Sequence, residues 1–141
     1  MLVLRTIETA ELPAPGDALP DCLAGRAPEG PDCCAFHRVD WARAVRFATW
    51  AWYCRDDGES PQERMARVVG VPPWLVQAAA CLITDPIQLH MDGARATGYD
   101  SGHVRAAALR AQRCRFALVA QDCPDGHAVG ELLDPALLTH R

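Results

Sequence analysis

The segment WARAVRFATWAWYCR, residues 41–55, limits the fold more than any other part of the chain. At 100° per residue its apolar side chains fall into two stripes. Trp41, Val45, Ala48 and Trp52 form one, and Phe47, Trp50 and Cys54 form the other on nearly the opposite side. Asp40 is a suitable N-cap and Gly58 follows the end, so the helix has a defined start and stop. A helix that is apolar on two sides is either central in the core or covered by a partner, and the central place is the better fit. The rest of the chain is therefore expected to pack around it. The 141 residues are enough to do so as a single domain, 1–141, with one core.

The remaining pieces are short because Pro and Gly interrupt the chain. Residues 2–8, LVLRTIE, read as a strand. Residues 12–35 hold Pro13, Pro15, Pro20, Pro28 and Pro31, which exclude a long helix or a central strand and leave an irregular arm. Ser60 with Glu63 makes a capping box, with Pro61 at the first helical position. Gly70 can take a positive φ and end that helix, and Pro73 opens the next, which runs to about Thr84. Asp85-Pro86 is read as the cap of another short helix, broken near Gly93 or Gly98. Asp92-Gly93 is also a turn dipeptide. Asp100 is expected to cap a helix over about 101–113. The turn Pro124-Asp125-Gly126, with apolar flanks, predicts a β-hairpin over 115–133. A lone hairpin is marginal, so strand 2–8 is its natural third strand. Continuous helix through 101–121 is the competing reading, because short apolar runs fit either period. Asp134-Pro135 opens a short C-terminal helix. The expected fold is α+β and mostly helical: a helix bundle with a small antiparallel sheet made of the N-terminal strand and the C-terminal hairpin.

The helix pair at 60–83, SPQERMARVVGVPPWLVQAAACLIT, resembles the helix-turn-helix of repressor-type DNA-binding domains. Gln62 opens the first helix, Ala66 is the small residue that would face the second, Gly70 makes the turn, and Val76 is the apolar anchor. Met65, Val69 and Val71 are apolar where packing requires it. The resemblance implies that the second helix would meet a major groove with Pro72, Pro73, Trp74, Gln77, Ala78 and Cys81. Only Gln77 among these reads base edges. Arg64 and Arg67, with Arg43 and Arg46 one helix back, are the candidate phosphate contacts, which position a duplex without reading it. An apolar face led by Trp74 suits a protein partner better than a groove, since a buried aromatic can anchor an interface. Plain packing, protein docking and DNA binding all remain open for this pair.

Charge enters here. The net charge is −4, whereas a dedicated nucleic-acid binder is usually basic. The distribution is uneven: residues 95–115 carry five Arg against Asp100, and both ends are acidic. Every Lys position is vacant in favour of Arg and there is no Asn, which reflects GC-rich codons rather than phosphate recognition.

Catalytic and metal signals are weak. Cys33/His37 and Cys123/His127 repeat a Cys-x3-His spacing and are the zinc candidates, with a further ligand from elsewhere such as His103 or Cys54, but no C-x2-C pair accompanies them. No Gly-rich phosphate loop or nucleophile elbow is present. The seven cysteines are odd in number and no secretory start precedes them, so they are read as buried thiols of a cytoplasmic protein. No run reaches the length of a membrane span. The expectation is a non-enzymatic regulator or inhibitor, without cofactor, that docks onto a protein partner. Two surfaces are expected to carry it: the apolar face at Trp74, Gln77, Ala78 and Cys81, and an Arg strip at Arg105, Arg110 and Arg113. Homodimerisation through the apolar face is open, and the alternative function is a helix-turn-helix transcription regulator.

Overall fold

The computed structural model describes residues 2–16, 19–20, 22–23 and 35–122. Strand β1 spans Leu2–Glu8 and runs into a 3-10 turn at Thr9–Glu11. A second 3-10 turn at Ala35–Arg38 leads into helix α1, Trp41–Tyr53, which is followed by α2, Pro61–Ala66, and α3, Pro73–Thr84. Then come β2, Ile87–Asp92, β3, Arg95–Ser101, helix α4, His103–Ala111, and β4, Phe116–Asp122. The architecture is α+β, with four α-helices and a four-stranded sheet among the described residues.

Helix α1 is central, as its two apolar stripes require. Trp41, Ala44, Val45, Phe47, Ala48, Thr49 and Ala51 are buried. It packs against α3, α2, β4 and α4. The Asp40 carboxylate accepts from the Arg43 N–H at 3.2 Å, the expected N-cap. A second cap comes from far away in sequence. The Trp41 N–H donates to Gln112 Oε1 at 2.9 Å, and Gln112 Nε2 donates to the Val39 carbonyl at 2.6 Å. Gln112 thus satisfies one of the orphan donors of the α1 N-terminus and pins it to the end of α4. Gln112→Ala is expected to lower stability by about 1–2 kcal/mol, because two part-buried hydrogen bonds go at once. A shift of the urea midpoint with an unchanged slope checks it; an unmoved midpoint means water replaces both bonds without cost.

The sheet order is β1-β4-β2-β3. β1 pairs antiparallel with β4, Leu4 opposite Ala120 and Ile7 opposite Ala117. The expected pairing of strand 2–8 with the strand near 116–121 is therefore present, and continuous helix through 101–121 is not: α4 ends at Ala111. The sheet is mixed rather than antiparallel, because β4 runs parallel to β2, Ile87 opposite Val119. Ala117, Leu118, Val119 and Ala120 are consecutive yet all buried, so this central strand is covered on both faces. Residues 123–133, including the turn at Pro124-Asp125-Gly126 and the second arm of the expected hairpin, lie outside the described residues. So do most of arm 12–35 and the expected C-terminal helix after Asp134.

The short helix expected after Asp85-Pro86 is instead the β2–β3 hairpin. Its two-residue turn is Gly93-Ala94, with Asp92 opposite Arg95 and Gly93 at φ 62°. The physical reason is visible in IQLHMD: Ile87 and Leu89 are buried and His90 is exposed, a period of two rather than 3.6. Asp85 ends α3 and starts no helix. The pairing of β3 with β2 skips Thr97 and Asp100, two bulges. Asp100 was expected to cap α4, but its carboxylate meets His90 Nδ1 at 2.9 Å, and the cap position is Gly102 at φ 81°. Both partners of that pair are half-exposed or more, which makes it worth little to stability.

A candidate docking face on the helical layer

Helices α2 and α3 form the pair anticipated from 60–83. Ser60 Oγ accepts from the Glu63 N–H at 3.1 Å, Pro61 is at the start of α2, and Gly70 sits at φ 81° in the turn. Helix α3 buries Leu75, Ala78, Ala79 and Leu82, a repeat of three and four residues that turns one side into the core. The outer side carries Trp74, Gln77 and Thr84, with Cys81 half-buried between them. Trp74 is 38 % exposed and Val69, in the α2–α3 turn, is 97 % exposed. Pro73 is exposed as well. Large apolar side chains are thus presented to solvent at one end of the helix pair.

Several sequence assignments move. Ala78 belongs to the core, at 8 % exposure, and leaves the outer face. Ala66 and Val69, expected to face inward, are exposed, because α2 ends at Ala66 and the turn carries Val69 away from α3. Met65 alone of the α2 end is fully buried. Val69 is the member of this face that the sequence reading placed wrongly. Its position directly before a turn-forming Gly is the signal that points outward.

The four candidate phosphate contacts separate into different roles. The Arg43 guanidinium lies 5.7 Å from the Trp74 ring centroid, so α1 contributes a cation to the apolar face of α3. Arg64 stacks 4.9 Å from the centroid of Trp50. Arg67 pairs with two carboxylates, Asp56 at 3.2 Å and Glu59 at 2.9 Å, while its side chain stays half-exposed. Arg46 is half-buried, with its Nε shielded from solvent. Only Arg43 therefore combines with the exposed apolar side chains.

The expected Arg strip on α4 is broken. Arg105 is buried, 8 % exposed, and faces α3 rather than solvent. It donates to the Asp85 carboxylate at 3.1 Å, to the Asp85 carbonyl, and to Cys81 Sγ at 3.4 Å. Cys81 and Arg105, assigned to two separate surfaces from the sequence, touch each other. Arg110 is exposed and donates to the Pro13 carbonyl at 3.2 Å; Arg113 is exposed at φ 56°, the left-handed residue just past the helix end.

Burial, and secondarily the Asp40 carboxylate, pushes the Cys114 thiol up to about 11, so it stays protonated at neutral pH. Burial pushes the Tyr99 hydroxyl up to about 12 against the opposing pull of Arg110, and that hydroxyl donates to the Pro13 carbonyl. Among the described residues no group of three His, Cys, Asp or Glu could hold a metal ion. Cys33, Cys123, His127 and the His37 side chain lie outside the described residues. No helix among the described residues is long and apolar enough to cross a membrane. Comparison with protein-family models, with curated proteins and with solved structures finds no match for this chain.

Proposed function

We propose that this protein is a non-enzymatic regulator or inhibitor that docks onto a protein partner through Val69, Trp74 and Gln77, with Arg43 beside them. The observation that carries the reading is the exposure of Val69 and Trp74 at the same end of the α2–α3 pair, next to a cation. An exposed aromatic flanked by Arg matches the residue types that dominate binding energy at interfaces. The complementary partner surface is an apolar pocket with a carboxylate at its edge, which Arg43 would pair bidentately.

The DNA reading draws on the same helices, and it is weakened by Arg67, whose two internal ion pairs compete with phosphate. A photo-crosslinking residue placed at Val69 in the native host, with the same residue at exposed Thr97 as control, separates the readings. The proposal expects a discrete protein adduct from position 69 alone, lost when Trp74→Ala is added. Nucleic acid in the adduct supports the transcription regulator, and an adduct with a second copy of the chain supports a homodimer; adducts common to both positions sink the docking face. With a purified partner, Trp74→Ala is expected to weaken binding by roughly 30-fold, equivalent to about 2 kcal/mol, while the melting temperature changes little.

A further inference from the structure

The face of the sheet that carries Arg5 and Ile7 on β1 also carries Ile87 and Leu89 on β2, as the pairing of both strands with β4 requires. A groove of about 450 Å³ opens over it. Ile7 and Leu89 form its apolar floor, each almost fully buried, and Ala96 of β3 is a small side chain that leaves it room. Arg5 and Arg95 line it, and Glu11 stands at the segment after β1. Among the described residues neither arginine has an ion pair or a hydrogen-bond acceptor, and Arg5 Nε is shielded from water with its donor unused. The groove thus presents two cations, a part-buried Arg5 and an exposed Arg95, beside an apolar floor, a pairing suited to a carboxylate. The volume is within the range of small-molecule sites.

We propose that this groove binds a small monocarboxylate, its apolar body on Ile7 and Leu89 and its carboxylate facing Arg5 and Arg95. A single negative charge is favoured over a polyanion because Glu11 repels a second one and the floor offers no donors. The groove shares no residue with the docking face, so the two proposals stand or fall separately.

The test uses 4-fluorobenzoate and its neutral analogue 4-fluorobenzamide, followed by fluorine NMR with the full chain. Saturable binding of 4-fluorobenzoate is expected, with 4-fluorobenzamide at least about tenfold weaker, the scale of a lost charge-assisted hydrogen bond. Arg5→Gln and Arg95→Gln are each expected to weaken 4-fluorobenzoate about tenfold, and Arg113→Gln, away from the groove, to leave it unchanged. Equal binding of the two probes overturns the proposal on the unaltered protein, whatever the variants do to folding. So does the absence of saturation, or undiminished binding in Arg5→Gln at an unchanged melting temperature.

Discussion

Gly102→Ala is expected to destabilise the protein by about 3 kcal/mol, from a left-handed backbone penalty of roughly 1–2 kcal/mol and a comparable overpacking cost. Gly102 sits at φ 81° between β3 and α4. A Cβ added there would lie 2.7 Å from the Ile87 Cα and 3.2 Å from Arg105 Nη2. The first neighbour is backbone of β2, which is paired on both sides and cannot yield cheaply. Gly70→Ala is the control. Its φ is also 81°, but a Cβ there meets nothing within 4 Å, so only the backbone term of about 1–2 kcal/mol applies. Urea denaturation of both variants decides the matter. Equal losses at the two positions mean that the contact with Ile87 relaxes freely and that Gly102 is required only for its dihedral.

Arg105→Ala is expected to cost about 2–3 kcal/mol, and packing with backbone hydrogen bonding supplies most of it rather than the ion pair. The Arg105 side chain is 10 % exposed while that of Asp85 is 65 % exposed, so water already screens the carboxylate. The Asp85 carbonyl is different. It belongs to the C-cap of α3, where helix carbonyls lack intrahelical donors, and Arg105 supplies one. The Arg105 stem also fills space between α4 and α3, and alanine would leave a cavity there. Arg105→Met, which keeps most of the stem, is expected to recover part of the loss. Salt separates the contributions: the difference between Arg105→Ala and the unaltered protein should persist in about 1 M NaCl, where exposed ion pairs are screened within about 3 Å. A difference that disappears in salt assigns the energy to Asp85 after all. Because Gly102 and Arg105 meet at the same junction, the double variant should lose less than the two single losses added together.

The junction was hidden in the sequence for a definite reason. Arg105 lies on the charged side of a helix whose Ala face invites packing, and such an Arg normally points to water. Nothing local signals that α3 ends opposite it, twenty residues earlier, with a carbonyl in need of a donor. The Asp85-Pro86 pair misled in the same way. It has the composition of a helix start, while the alternation of Ile87, Gln88, Leu89 and His90 over four residues is too brief to outweigh it without the neighbouring strand. Asp100 looked like an N-cap because it stands before a helix, yet a bulge turns it to His90.

The proposed docking face is legible in part. Trp74 and Gln77 are on the outer side of α3, as periodicity from Leu75 and Leu82 implies. Ala78 and Cys81 were harder, because small residues near the edge of a helical stripe fit the core or the surface equally well. Val69 matches an apolar packing position of the helix-turn-helix pattern. The length of α2, six residues, put it outside.

What the chain determined by itself is what depends on neighbours within a few positions. The caps at Asp40 and Ser60, the turns at Gly70 and Gly93, the apolar period of α1 and α3, and hence an α+β fold wrapped around α1, follow from local dihedral and hydrogen-bond preferences. Only the tertiary structure decided that β4 runs beside β2 in parallel, that Gln112 caps α1 from 71 residues away, that Arg105 turns inward, and that Arg5 and Arg95 share one groove. Those outcomes depend on which surfaces meet, and the energies that select among meetings are sums over many distant side chains, so no short window of sequence contains them.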